Sequence, residues 1–236
     1  MPVGLGGEQG WWCPTLDDSP DDISGNGNNG TYVGGMGTVA DTGSGGTRAY
    51  EFDGTDDYVD VVSSGVDGNP TATYSISAWV NPSITSLFHV FTAGDNGGSR
   101  FVNLGNNNAN GKILCGQSND WLQAGSYDLN QWQCVCYTFD GTTVSLYKNG
   151  LFVDSRADLP VSFNEQKVRV GANSSGTALL AGKADDLRTY NRVITQAEIT
   201  HLATARGVLG GPGSDGYNAF TSAIYKPRNY NNTRFG

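Results

Sequence analysis

The sequence has few histidines, the side chain that enzymes use most often for proton transfer. Its two histidines are His89, which lies in an apolar run, and His201, which lies in a predicted helix. No serine or cysteine motif of a catalytic triad accompanies either histidine. We therefore expect both to be structural or surface residues, and we expect a protein that is not an enzyme.

Long apolar runs are also missing, so the sequence predicts no membrane insertion. The first twelve residues, MPVGLGGEQGWW, have neither the basic region nor the apolar region of an export signal. The formal net charge is −9 and the sequence pI is about 4.5. Because an acidic surface repels polyanions, this charge argues against nucleic acid as a partner.

Cysteine is scarce, with four residues, and the spacing leaves two interpretations open. Cys134 and Cys136 are two residues apart in a predicted strand, so their side chains face the same way. One interpretation is that all four cysteines are buried free thiols that act as small apolar residues, and we favour it. The other is a disulfide from Cys115 to Cys134 or to Cys136.

Glycine and residues typical of short strands are abundant, and glycine alone accounts for 34 residues. In Tyr74–Val80 the apolar side chains Ile76, Ala78 and Val80 alternate with others, which is the period of a strand. The Asn149-Gly150 pair between apolar residues predicts a β-hairpin. The sequence thus predicts an all-β sandwich of two antiparallel sheets.

One helix is predicted near the end of the sandwich, over Thr195–Arg206. Thr195 and Glu198 have the spacing of a capping box, and Gly207 follows the last turn. The predicted organisation is therefore an N-terminal arm at residues 1–10, a domain at residues 11–209 and a tail at residues 210–236.

Six segments, in order along the chain, carry a resemblance to a known family. They are Trp12 to Asp17, Asp22 to Thr31, Tyr50 to Val59, Tyr74 to Pro82, Trp132 to Gly150, and Gly182 to Arg192 with the helix that follows. Together they resemble the LamG-like jelly-roll domains of the concanavalin A-like superfamily. The resemblance implies a jelly-roll sandwich used for binding glycans or proteins, often with a structural Ca²⁺ ion. Family members commonly have Trp-His-His where this sequence has Trp132, Gln133 and Cys134.

A calcium site is predicted at the loop that begins at Asp22. Asp22, Ser24 and Asn26 have the oxygen spacing of the first half of a calcium loop, but Val33 occupies the position of its usual last acidic ligand. The resemblance places Asp185 beside this loop, so Asp185 and then Asp186 are expected to complete the site. The alternative is a turn held by hydrogen bonds of its own Asp and Asn side chains.

Two carboxylates, Glu51 and Asp53, share one face of a predicted strand, as acids do in some glycosidases. Such enzymes need a further acid along the same strand, and here Gly54 turns the chain at once. The pair is therefore not expected to be catalytic.

Exposed aromatic rings are typical of sugar sites, because their faces stack on pyranose rings. Trp121 follows a polar loop that includes Asn119, and these two residues together with Tyr127 are the predicted ligand-binding set. For Trp79 we favour packing in the core.

The tail differs chemically from the rest of the chain. Residues 1–206 have a net charge of −11, whereas residues 207–236 have a net charge of +2. We expect the tail to dock on other subunits or identical copies through its aromatic side chains, with its basic side chains against acidic surfaces. The alternative is that the tail is disordered. The predicted docking residues are Tyr217, Phe220, Tyr225, Arg228, Tyr230 and Phe235.

The recognition domain starts at Met1 without an export signal, has unpaired cysteines and carries an extended tail. LamG-like modules with such tails resemble those carried by phage structural proteins. The sequence therefore predicts a decoration, tail or fibre protein in the virion, with cell-surface glycan as a further partner. The alternative is an extracellular carbohydrate-binding module secreted by a bacterium.

Overall fold

The computed structural model describes residues 4–62, 73–95, 100–106, 111–117, 120–157 and 167–210. These residues form fifteen strands and one α-helix. The strands are β1 Glu8–Trp12, β2 Gly30–Val33, β3 Gly37–Ala40, β4 Arg48–Asp53, β5 Tyr58–Val62, β6 Tyr74–Pro82, β7 Phe88–Asp95, β8 Arg100–Asn106, β9 Ile113–Gln117, β10 Asp120–Ala124, β11 Gln133–Phe139, β12 Thr143–Lys148, β13 Leu151–Ala157, β14 Lys167–Val170 and β15 Ala181–Tyr190. The helix α1 is Gln196–Leu202.

The strands form two antiparallel sheets. Sheet A has the order β13-β12-β11-β6-β15-β4-β3, and β1 also pairs with β15. Sheet B has the order β10-β9-β8-β7-β14-β5-β2. Neighbouring strands in both sheets come from distant parts of the chain; β15, for example, lies between β4 and β6. The domain therefore cannot be divided into two separate hairpin units. The predicted jelly-roll sandwich is confirmed.

Alternating side chains fill the space between the sheets. Ile76, Ala78 and Val80 of β6 are at most 3% exposed and belong to the central core, as predicted. Val144 and Leu146 of β12 join the same core. This burial of apolar side chains from both sheets is the main favourable contribution to folding.

The helix covers part of the outer face of sheet A. Trp79 lies on that face, and its indole Nε1 donates a 3.0 Å hydrogen bond to the carbonyl of Leu202 at the end of α1. The hydroxyl of Ser75, four residues earlier on the same strand and on the same face, accepts a hydrogen bond from the backbone N–H of Ile194. A second apolar cluster, which includes Ile199 and Leu202, packs beneath the helix. Trp79 is thus buried, as expected, but under the helix.

The structure corrects two predicted boundaries. Strand β1 begins at Glu8, inside the predicted arm, because Glu8–Trp12 pairs with β15. Strand β3 has little apolar content, and its pairing with β4 makes it a strand. Helix α1 ends at Leu202, four residues before the predicted end. None of the helices in the described part of the chain has the length and apolarity to cross a bilayer.

Two local predictions are confirmed. Asn149 and Gly150 have φ values of +50° and +80°, which a tight two-residue hairpin turn requires. The four cysteines are buried free thiols. Burial raises the pKa of the Cys13, Cys134 and Cys136 thiols, so they remain protonated at neutral pH.

Candidate functional site

The outer face of sheet A carries a row of polar residues across four neighbouring strands. Lys183 of β15 is paired with Glu51 of β4 on one side and with Asn81 of β6 on the other. Glu51 is in turn paired with Gly37 of β3. Directly paired residues in an antiparallel sheet point to the same face. The alternate residues of these strands, such as Phe52, face the core, so the row faces outward.

This row lies in an open groove of about 700 Å³. Its lining includes Gly37, Glu51, Asp53, Asn81, Ser83 and Lys183. Gly37 has no side chain to fill the space beside Glu51, and Thr38 and Val39 of β3 line the groove next to it. Gly35 and Met36 of the β2–β3 loop also line it. The volume is in the range of small-molecule sites. We name this feature the sheet A groove.

The groove lies beside the covered part of sheet A. Asp185 follows Lys183 on the same face of β15. Its side chain is fully buried under the segment that follows α1. Arg206 of that segment is also fully buried and donates to Asp185 and to Asp41. The segment that follows α1 therefore covers the outer face of sheet A next to the groove.

A partly buried ion network borders the groove at Lys183. The Lys183 ammonium lies 2.9 Å from a carboxylate oxygen of Asp41, and the Trp132 indole donates to the other oxygen of Asp41 at 3.0 Å. The guanidinium of Arg206 lies 4.1 Å from the centre of the Trp132 ring. Partial burial raises the pKa of Asp41, but hydrogen bonds from Lys183, Gly43 and Trp132 outweigh it and lower that pKa. Lys183 is therefore held in place by a charged partner.

Three carboxylates converge at the end of the groove where β4 turns into β5. One oxygen each of Asp53, Asp56 and Asp57 lies within 4.8 Å of the others. The backbone N–H of Asp53 donates to Asp57 at 2.9 Å. Burial raises the pKa of Asp57, and the neighbouring Asp53 and Asp56 carboxylates add to this rise. Gly54, at φ +78°, turns the chain after Asp53, so β4 supplies no third acid along the strand.

The predicted calcium ligands occupy two different bonding networks. The Asp22 carboxylate accepts hydrogen bonds from the backbone N–H groups of Trp11, Ser24 and Asn28. Asn26 donates from its amide to the carbonyl of Glu8. This arrangement is the hydrogen-bonded turn that was the alternative to a calcium loop.

The two acidic residues expected to complete that site pair with arginines. Asp186 contacts Arg188 at 2.8 Å through an ion pair in which both side chains are almost fully buried, and it accepts from the Trp11 indole. Asp185 accepts from Thr15 and Arg206. Among the described residues, the carboxylates that converge as a possible metal site do not include Asp22, Asp185 or Asp186. These hydrogen bonds hold the predicted ligands in separate networks, and Ca²⁺ binding stays a prediction.

The predicted aromatic ligand site is only partly accessible. Tyr127 is 6% exposed and packs against Phe88 with ring centres 5.2 Å apart, so its ring lies in the core and is not the exposed ring that was expected. Its contact with a ligand stays a prediction. Its ring fills the core because the loop after β10 folds inward. Trp121 is half-buried on the edge strand β10. Asn119 lies outside the described residues, as do the docking residues Tyr217, Phe220, Tyr225, Arg228, Tyr230 and Phe235.

Neither histidine lies in the groove. His89 is 7% exposed, and its Nδ1 lies 3.0 Å from the hydroxyl of Thr92. Burial lowers the pKa of His89 to about 4, so the ring is neutral near pH 7. His201 is buried on α1, with Nε2 3.2 Å from the carbonyl of Leu209. Both histidines are structural, as predicted.

Sequence reasoning singled out Glu51 and Asp53 but missed Asn81, Ser83 and Lys183. No local signal identifies these three, because they come from separate segments that only the strand order of sheet A brings together.

A family model described as the concanavalin A-like lectin/glucanases superfamily matches residues 53–200, more than half of the chain. The chain belongs to this superfamily. No curated protein matches the sequence.

Three solved structures similar to this superfamily member are a domain of an arabinanase and the binding domains of two toxins. Domain 4 of AbnA, an extracellular GH43 arabinanase from Geobacillus stearothermophilus solved with arabinotriose, has a TM-score of 0.65 and 19% identity, and the match covers 86% of this chain and 100% of that domain. The binding domain of Paraclostridial Mosquitocidal Protein 1 has a TM-score of 0.67 and 14% identity, with coverage of 84% and 52%. The binding domain of botulinum neurotoxin serotype D has a TM-score of 0.64 and 14% identity, with coverage of 84% and 51%. This chain thus spans about half the length of the toxin domains, and at these identities the likeness shows the fold.

Proposed function

We propose that this concanavalin A-like domain is a non-catalytic carbohydrate-binding module and that it binds glycan in the sheet A groove. The observation that carries the proposal is the row of Glu51, Lys183 and Asn81 at the floor of an open groove. An amide both donates and accepts hydrogen bonds, and a carboxylate accepts two at once. These groups match the neighbouring hydroxyls of a sugar ring, each of which both donates and accepts.

The shape of the groove also suits a chain of sugars. It is open, and the strands beneath it keep polar side chains about one strand spacing apart. The arabinanase domain that is similar to this domain was solved with a trisaccharide. Phe52, the aromatic residue among the groove lining, is 2% exposed, so hydrogen bonds rather than stacking are expected to dominate binding here.

A binding role is better supported than hydrolysis. Glu51 and Asp53 are both exposed on β4, but the strand ends at Asp53 and the chain turns away at Gly54. The strand therefore lacks the next acid that a catalytic arrangement along one strand needs. Release of reducing ends from a bound glycan, abolished in Glu51→Gln, would show an enzyme and overturn this part of the proposal.

The test of the site is binding to immobilised glycans, followed by titration with the best ligand. We expect Asn81→Ala to weaken binding by about tenfold, the effect of one or two lost hydrogen bonds. Asn191→Ala is the matched control, because Asn191 is exposed and lies outside the groove lining. It should bind as the wild type does.

The half-buried Trp121 offers a rival location at the edge of sheet B. If Trp121→Ala abolishes glycan binding while Asn81→Ala leaves it unchanged, the glycan binds at β10 and the groove proposal is wrong. If neither wild type nor variants bind any glycan, the carbohydrate function itself is wrong.

We further propose that the module works on the surface of a virion and that residues 210–236 attach it to other subunits. The support is the charge contrast between an acidic body and a tail of net charge +2 with several aromatic residues. Purified particles should contain the full chain and should lose it when residues 211–236 are deleted. A protein absent from particles and found free outside cells would favour the alternative, a secreted carbohydrate-binding module.

A further inference from the structure

The charge of the sheet A groove is strongly one-sided. Three carboxylates line it, those of Glu51, Asp53 and Asp57, and Asp56 lies within 4.8 Å of the last two. Lys183 is the single cationic residue in the lining. Glu51 and Asp53 are exposed to solvent in the groove, so their charges face whatever binds there.

The one cation does not offset these carboxylates, because it already has an anionic partner. The Lys183 ammonium lies 2.9 Å from Asp41, and the side chain of Asp41 is only 13% exposed. Asp41 is itself fixed by Trp132 and Arg206. Lys183 thus cannot swing away to meet a ligand without leaving Asp41 with one less donor. A ligand in the groove therefore meets an excess of negative charge.

We infer that the sheet A groove selects glycans by charge: it prefers sugars with protonated amino groups over neutral sugars, and it rejects sugars with carboxylate or sulfate groups. This inference rests on the proposed glycan function and names the class of ligand for that same groove. The carboxylates of Glu51 and Asp53 are placed to accept hydrogen bonds from an ammonium group, and charge-assisted hydrogen bonds are stronger than neutral ones.

The same carboxylates penalise acidic ligands. An acidic sugar would bring a further negative charge into a groove that has no free cation among the described lining residues, and like charges at this range repel. A neutral sugar avoids the repulsion and gains the hydrogen bonds alone. The order of affinity should therefore be amine-bearing, then neutral, then acidic.

The experiment uses matched oligosaccharides of equal length that differ in one substituent. One set contains oligomers of glucose, glucosamine and glucuronic acid with the same linkage, and a second set contains the corresponding galactose compounds. The full chain is titrated with each at mildly acidic pH, where the amines are protonated. We expect amine-bearing oligomers to bind about fivefold tighter than neutral ones, the effect of one exposed ion pair. Added salt should reduce this preference without weakening the binding of neutral oligomers.

The variant Glu51→Gln tests whether the groove is the source of the preference. It removes one charge with little change of shape, and its amide oxygen can still accept a hydrogen bond from a sugar hydroxyl. Amine-bearing oligomers should therefore lose more affinity than neutral ones, so the amine-to-neutral ratio should fall towards one. Asp154→Asn is the control, because Asp154 is exposed on β13, at the other edge of sheet A, and the change of net charge is the same. This control separates the groove from the general acidity of the protein.

The outcomes separate the inference from the proposed function. Tightest binding of acidic oligomers, or equal binding of amine-bearing and neutral oligomers, would overturn the inference while leaving a glycan-binding module. A ratio that falls equally in Glu51→Gln and Asp154→Asn would also overturn it. Binding to no oligosaccharide of either set nor to any wider glycan panel would overturn the proposed function and the inference with it.

Discussion

Asp185 lies where sheet A meets the segment that follows the helix, and its side chain is fully buried. It accepts hydrogen bonds from the backbone and the hydroxyl of Thr15, and Arg206 donates to it at 3.2 Å. Burial raises the pKa of Asp185, the nearby Asp186 carboxylate adds to the rise, and Thr15 and Arg206 oppose it, which leaves the pKa at about 6. A buried carboxylate with this pKa makes stability depend on pH.

Asp185→Asn should remove that dependence. Since the folded pKa of about 6 is above the usual aspartate pKa of 3.8, the folded protein binds the proton more tightly than the unfolded chain does. The contribution to stability is therefore full below pH 3.8 and is lost as pH rises through about 6. Over this window the free energy of unfolding of the wild type should fall relative to that of Asp185→Asn by about 3 kcal/mol.

Urea unfolding of both proteins at several pH values measures this difference. Because both chains share every other titrating group, their common pH dependence cancels in the comparison. Parallel curves across the window would contradict the role assigned to Asp185.

At the scale of one element, helix α1 is short, and its start is fixed by its own sequence. Thr195 accepts a hydrogen bond from the N–H of Glu198, and the Glu198 side chain accepts one from the N–H of Thr195. Arg192 also pairs with Glu198 at 2.7 Å. The hydrogen bonds from Arg192 outweigh the effect of burial and lower the pKa of Glu198. The helix in turn holds Trp79 against the outer face of sheet A.

Thr195→Ala should lower the free energy of unfolding by about 1 kcal/mol, the usual effect of losing an N-cap side chain. Thr195→Ser is the matched control, because its hydroxyl keeps the cap, and it should be close to wild type. Chemical denaturation of the three proteins measures the effect. Equal losses in both variants would mean that the threonine methyl group, and not the cap, stabilises the helix.

For the whole molecule, a core shared by two sheets makes covalent cross-links unnecessary. The described residues include all four cysteines, and each is buried as a free thiol. Cys115 lies on sheet B and faces the central core. Cys136 lies on sheet A and faces the other way, into the cluster under the helix. The distribution of thiols therefore follows packing and not pairing.

The folded protein should accordingly be unreactive towards a thiol reagent and should show four reactive thiols once it is unfolded in denaturant. Colorimetric titration with and without denaturant provides the count, and intact mass under non-reducing conditions provides the control. A mass lower by two hydrogens, or two thiols instead of four after unfolding, would show a disulfide.

Several features were predictable because they depend on neighbours in sequence. Alternation in Tyr74–Val80 identified the inward side chains, the Asn149-Gly150 pair identified a hairpin, and Thr195 with Glu198 identified the helix start. Each signal acts over a few residues, where backbone geometry and one or two hydrogen bonds decide the outcome.

Other features depend on which distant segments become neighbours, and only the tertiary structure decided them. The order of strands β3, β4, β15 and β6 lines up Glu51, Lys183 and Asn81 and so creates the groove. The same folding buries Asp185 and Asp186 against arginines and Tyr127 against Phe88. The sequence alone determined that the chain forms a two-sheet sandwich with alternating faces. Packing determined which charged side chains are buried and which stay exposed to solvent, because burial is a property of the assembled sheets.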